Sequence, residues 1–207
     1  LLENTIVIFM SDNGPWYGGS TGGFKGMKAT TWEGGIRVPF IIRYPQAFAQ
    51  NHKVAVPCWS LDVFPTLLSL TGVAPGKTNP IEGEDITDIL KGNTTEHGAI
   101  YSMHNDQIVT MRKGDWKLFV REPRYYKPVD LSNWSDPRGP DGTTILAPAE
   151  GQATPAQYPG LKPMKPEHEI QLFNLRDDPT ESKDRSEENP AMVKQLMEEY
   201  QEFREQF

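Results

Sequence analysis

Apolar positions fall in short blocks rather than long stripes. Residues 5–10 (TIVIFM) form a continuous, largely β-branched run without polar alternation, which predicts a strand buried on both faces, as in a parallel sheet. It ends in the turn formers Ser11, Asp12, Asn13, Gly14 and Pro15. Residues 14–35 then hold eight glycines (14, 18, 19, 22, 23, 26, 34 and 35), too many for a regular element. Residues 36–44 (IRVPFIIRY) are a second apolar run, in which Pro39 marks a break, a bulge or a sheet edge. Residues 60–72 predict a helix: Ser60 or Asp62 caps it, Phe64, Leu67, Leu68 and Leu70 give the apolar spacing, and Gly72 stops it. Residues 85–90 predict a short helical turn ended by Gly92.

From residue 99 the pattern changes. Residues 99–104, 107–112 and 116–121 are short, alternating and rich in aromatic or β-branched side chains, with Lys113, Gly114 and Asp115 as a hairpin turn. Residues 122–168 are dense in Pro, Gly and Asp and predict a long loop. Residues 170–175 predict one more strand, and Asn189-Pro190 opens a final helix with cap and first-turn proline in their preferred places. Val193, Leu196, Met197, Tyr200, Phe203 and Phe207 share one face of that helix. The expected division is an α/β piece over residues 1–97, followed by a small antiparallel sheet closed by a helix (α+β) over residues 98–207.

At 207 residues the chain is long enough to bury a core. Its net charge of −7 argues against nucleic acid as a partner. The single cysteine, Cys58, excludes an internal disulfide framework and any multi-cysteine zinc site. No apolar run approaches the roughly 18 residues of a membrane span.

Two stretches carry candidate chemistry. Asp12 and Asn13 follow a strand end, where ligands gather in α/β sheets. They read either as an Asx turn or as a pair of hard oxygen donors suited to calcium or magnesium. Residues 22–35 set Lys25 and Lys28 among glycines and hydroxyls, either as a cradle for a tetrahedral anion or as a plain surface loop. This is not a Walker loop, because Ala29 follows Lys28.

Together, residues 4–14 (NTIVIFMSDNG) and 28–39 (KATTWEGGIRVP) resemble the type I sulfatases of the arylsulfatase family, in the alkaline phosphatase superfamily. Residues 61–68 (LDVFPTLL), 81–85 (IEGED), 114–118 (GDWKL) and 172–181 (LFNLRDDPTE) resemble later segments of that family, in order. The resemblance implies that residues 1–97 are the C-terminal part of a large mixed sheet flanked by helices. It implies that Asp12 and Asn13 are two oxygen ligands of a calcium ion (magnesium is less suited), and that Lys28 is catalytic and contacts the sulfate and ester oxygen. Thr30, Thr31, Trp32, Glu33 and Arg37 are then structural, Lys25 is solvated, and His104 contacts substrate. His52, His97 and His168 sit in polar loops and are expected to be solvated. The loop over residues 134–158, with Arg124, Tyr125, Tyr126 and Arg138, is expected to pack on its own domain rather than frame a ligand.

The family's nucleophile is a formylglycine made within a Cys/Ser-x-Pro-x-Arg segment. Cys58 is followed by Trp59, Ser60, Leu61 and Asp62 and does not fit, which leaves it the part of a small buried side chain. The family's other metal-binding aspartates lie before the Asp-Asn pair. The expectation is a C-terminal fragment, inactive alone, whose partners are the N-terminal part of the catalytic domain and a sulfated small molecule or glycan. The resemblance favours a periplasmic or secreted setting, with a bacterial cytoplasm as the alternative. Two alternatives stand beside it: a phosphate or phosphonate esterase of the same superfamily, and a non-catalytic C-terminal module.

Overall fold

In the computed structural model, which describes residues 2–15, 20–74, 76, 81–123, 125–128, 161–164 and 168–206, strand β1 (Val7–Met10) pairs antiparallel with β2 (Phe40–Arg43). Val7 faces Arg43 and Met10 faces Phe40. This corrects the parallel, doubly buried strand expected from the apolar run: Val7 is 49% and Phe9 62% exposed. The β-branched composition still makes a strand, but among the described residues the sheet has two members and leaves Val7, Phe9, Phe40 and Ile41 exposed, with Ile8, Met10 and Ile42 half-buried.

By its contacts the chain gathers into two units, one of Leu1–Met10, Pro39–Ile100 and Arg112–Gly114, the other of Ser11–Val38, Tyr101–Met111 and Asp115–Phe207. The first holds the β1–β2 sheet, a 3-10 turn at Ser60–Asp62, α2 (Val63–Thr71) and α3 (Thr87–Lys91). Gly72 and Gly92, at φ 68° and 78°, end the two helices in the left-handed conformation that a Cβ disfavours. Phe64 is 58% exposed, and the buried residues here include Asp62, Thr66, Ile86 and Ile89. Thr66 Oγ1 accepts the Ile86 N–H at 3.1 Å, joining α2 to the start of α3.

Mostly within the second unit, β3 (Ile100–His104), β4 (Gln107–Lys113), β5 (Trp116–Phe119) and β8 (Gln171–Asn174) form a sheet in the order β3-β4-β5-β8. β5 and β8 are antiparallel, with Lys117 opposite Phe173. Asn105 and Asp106, at φ 48° and 60°, make the two-residue turn from β3 to β4, the geometry of a primed hairpin turn. The final helix, α4 (Pro190–Arg204), buries Leu196 and Tyr200 and stacks Phe203 on Tyr101 with ring centroids 3.9 Å apart. The core joins Trp32, Val109, Phe119, Phe173 and Leu175. Trp32 lies 4.4 Å from Phe119 and 5.5 Å from Phe173, centroid to centroid.

Three elements depart from expectation. A single helical turn, α1 (Glu33–Ile36), forms inside the glycine-rich stretch. Within the expected long loop, β6 (Tyr125–Pro128) pairs antiparallel with β7 (Leu161–Met164). The expected aromatic loop at residues 134–158, Arg124 and Arg138 included, lies outside the described residues. No described helix is long and apolar enough to cross a membrane.

Candidate active site

Asp12 and Asn13 leave the end of β1 in a loop, Asp12 exposed and Asn13 half-buried. Asn13 Nδ2 donates to Asp12 Oδ2 at 2.6 Å, and Ser11 Oγ donates to the Asn13 carbonyl at 2.9 Å. Among the described residues, neither side chain is spent on closing an Asx turn. The carboxylate and the amide Oδ1 are hard oxygens on adjacent residues, a donor set that fits part of a calcium shell of six to eight oxygens. No described group gathers three or more metal-ligating side chains, so the remaining ligands would come from elsewhere.

The next residues tie this loop to the lysine segment. Gly14 N–H donates to the Gly35 carbonyl at 2.8 Å, and Lys28 N–H donates to the Pro15 carbonyl at 2.9 Å. Lys28 itself is exposed. Ala29, immediately after it, stands at φ 69°, a left-handed conformation that costs a non-glycine residue about 1–2 kcal/mol. Thr30 Oγ1 closes the turn by donating to the Met27 carbonyl at 2.7 Å and accepting from Met27 N–H at 3.1 Å. The glycines here are demanded by close approach: a Cβ on Gly14 would lie 1.9 Å from the Gly34 carbonyl oxygen.

Behind the exposed lysine the loop is anchored by buried charge. Lys117 Nζ sits 3.0 Å from Glu33 Oε1 and 2.8 Å from Glu181 Oε1, and all three side chains are at most 3% exposed. Glu181 Oε2 also accepts the Glu33 N–H at 2.7 Å. Lys25, expected to be solvated, instead lies over the Trp32 ring at 3.7 Å and donates to the Glu181 carbonyl at 3.2 Å. Burial pulls the Lys25 ammonium below the ordinary lysine range, against the opposing pull of Glu181, Asp178 and Asp184. Burial likewise pushes the Glu181 carboxyl upward, with Lys117 acting in the other direction. Trp32 and Glu33 are thus structural groups, plugged into the sheet by an indole and a carboxylate.

His104 is half-buried at the end of β3, beside the primed turn. With Thr30, Thr31, Gln107, Arg121 and Glu169 it lines a cavity of about 380 Å³. The same cavity reaches Ala29, so His104 and the residues just after Lys28 share one hollow.

Two other expectations are corrected. His97 is not solvated: its side chain is 4% exposed, with Nε2 2.9 Å from Asp62 Oδ2. The buried Asp62 draws it in, because that carboxylate already accepts N–H groups from Trp59 and Glu84 and can take a further donor. Cys58 is exposed rather than buried, because its segment runs over the surface before the Ser60–Asp62 turn. Partial burial, then the Asp62 and Glu84 carboxylates, push its thiol up to about 11. Sequence reasoning also missed Lys117 and Glu181. The only signal was a lysine inside the apolar run Trp116–Phe119.

Comparison with known proteins adds an independent line. Residues 1–73 match the family model described as Sulfatase. Over 143 residues, covering 60% of this chain, the sequence is 32% identical to human (Homo sapiens) steryl-sulfatase. Over 128 residues, or 59% of the chain, it is 30% identical to the arylsulfatase of Hemicentrotus pulcherrimus. The chain spans about a quarter of the length of these relatives, 24% and 23%. In fold it is similar to a solved Bacteroides thetaiotaomicron protein from a locus for glycosaminoglycan metabolism, with TM-score 0.69 and 22% identity over 98% of this chain and 39% of that one.

Proposed function

Since this chain belongs to the sulfatase family, we propose that it supplies part of the active site of an enzyme that hydrolyses sulfate monoesters of aryl or carbohydrate alcohols. The observation that carries this reading is the bond from Lys28 N–H to the Pro15 carbonyl, 2.9 Å long. It fastens the lysine two residues beyond the Asp12–Asn13 oxygen pair, so a cation and an anionic ester have their candidate partners on one loop junction. Asp12 and Asn13 would hold calcium, whose charge polarises sulfate oxygens when it is bound. The Lys28 ammonium donates to a sulfate oxygen and to the ester oxygen, stabilising the negative charge that grows there as the bond breaks. The alcohol part lies in the hollow lined by His104, Gln107 and Arg121. The nucleophile, a formylglycine, is assigned to the part of the catalytic domain outside this chain.

That remainder also has a seat. Val7, Phe9, Phe40 and Ile41 are between 37% and 62% exposed on the β1–β2 sheet, and this chain accounts for only 24% of the length of human steryl-sulfatase. Large apolar side chains on paired strands are the ordinary inner surface of a wider sheet domain.

The test is hydrolysis of a chromogenic aryl sulfate by the full-length protein in calcium. The wild type should turn over, and Lys28→Ala should lower kcat by about 10²-fold, as for other lost charge-stabilising donors. A Lys28→Ala rate near that of the wild type would overturn the assignment. The isolated 207-residue chain should show no turnover.

A further inference from the structure

The loop that carries Lys28 is held from both sides by one distant residue. Three positions before Lys28, the Lys25 ammonium donates to the Glu181 carbonyl at 3.2 Å. Five positions after it, the Glu33 N–H donates to the Glu181 carboxylate at 2.7 Å. The other carboxylate oxygen of Glu181 meets Lys117 at 2.8 Å, and Lys117 returns to Glu33 at 3.0 Å. Glu181 is itself at φ 53°, so its backbone is held in a strained conformation in which carbonyl and carboxylate serve opposite ends of the same arc.

We propose that Glu181 and Lys117 are positioning residues for Lys28: together they set the span of the arc between Lys25 and Glu33 and so fix where the Lys28 ammonium stands. The inference rests on the reading of Lys28 given above, but the residues it concerns are buried and are given no part in holding sulfate or metal. Three features favour positioning over simple cohesion. Buried ion pairs contribute little net stability compared with apolar packing of the same volume, so a lysine between two glutamates is a poor choice for cohesion alone. The apolar contact needed for cohesion is already supplied by Trp32, packed on Phe119 and Phe173. The strain at Ala29 sits between the two anchors, next to the reactive side chain, and a loop free to relax would lose it.

The experiment has two arms on the full-length protein. In the first, hydrogen exchange is followed for the amides of Met27–Trp32 in the wild type and in Glu181→Gln, which keeps shape and removes charge. Exchange in that segment should quicken about tenfold or more while α4 stays unchanged; an equal rise everywhere, or none, overturns the proposal. In the second, Glu181→Gln and Lys117→Met are combined with Lys28→Ala, and kcat/KM is measured on a fluorogenic aryl sulfate. Each positioning variant should lower kcat/KM by up to about 10²-fold when Lys28 is present and by less than about twofold when it is absent. Equal factors in both backgrounds would show a merely structural role and overturn the proposal. A wild type without sulfatase activity whose Met27–Trp32 amides still respond to Glu181→Gln would sink the enzymatic reading while leaving the arc's anchoring intact.

Discussion

His97 Nε2 stands 2.9 Å from Asp62 Oδ2, and the two side chains are 4% and 0% exposed. Asp62 is the hub of its unit, accepting from Trp59 N–H, Glu84 N–H and the imidazole. The hydrogen bond to Asp62 raises the His97 pKa above its ordinary value of 6.5, with Glu84 adding to the pull and burial opposing it. The folded state therefore holds the proton more tightly than the unfolded chain. Its contribution to stability is full below pH 6.5 and is lost as pH rises through the folded value. Urea unfolding followed by Trp59 fluorescence between pH 6 and 9 should show stability falling with pH. His97→Asn should flatten that slope and cost about 1–3 kcal/mol at pH 6. A slope unchanged by the substitution would contradict the assignment.

Lys117→Ala leaves the Glu33 and Glu181 carboxylates buried without their shared cation. The chain should lose about 3–5 kcal/mol of stability, read as a lower urea midpoint for the unit that contains α4. Lys117→Met, which retains the stem volume, should lose less than Lys117→Ala. Equal midpoints for Lys117→Ala and wild type would contradict the buried ion cluster.

Gly34→Ala places a Cβ 2.6 Å from the Lys25 carbonyl oxygen and 2.7 Å from that of Gly26. Backbone atoms cannot give way as side chains do, so about 1–3 kcal/mol should be lost. Gly76→Ala, whose Cβ meets nothing within 4 Å among the described residues, is the control and should stay within about 0.5 kcal/mol of wild type. Thermal melting of both variants decides it.

Cys58 should alkylate slowly although it is exposed. With its thiol pushed up to about 11 from 9.0, its thiolate fraction at pH 8 is roughly a hundredfold below that of an ordinary cysteine. Iodoacetamide labelling followed by mass spectrometry should show that retardation, and Asp62→Asn should relieve part of it. Labelling as fast as a free thiol would refute the electrostatic account.

The sheet was legible where side-chain chemistry is locally one-sided. The strands around His104, Val109 and Leu118, the Gly72 and Gly92 stops and the Asn189-Pro190 helix start all follow from short patterns. β6 and β7 did not stand out, since Pro128 and Pro163 interrupt the very residues that pair. The Lys28 motif could be found because its residue types are unusual together. Its support could not: Glu181 is one acid in a run that includes Asp177, Asp178 and Asp184, and nothing local marks which of them is buried. His97 was misread for the same reason, because its partner Asp62 lies 35 residues away.

The single-turn helix at Glu33–Ile36 is far too short to persist by its own hydrogen bonds. Glu33 meets one partner 84 positions later and another 148 positions later. During synthesis the segment around Lys28 therefore leaves the ribosome long before either partner exists and takes its final shape only after residue 181 has emerged. A chain terminated ahead of that point would carry the lysine but not its setting.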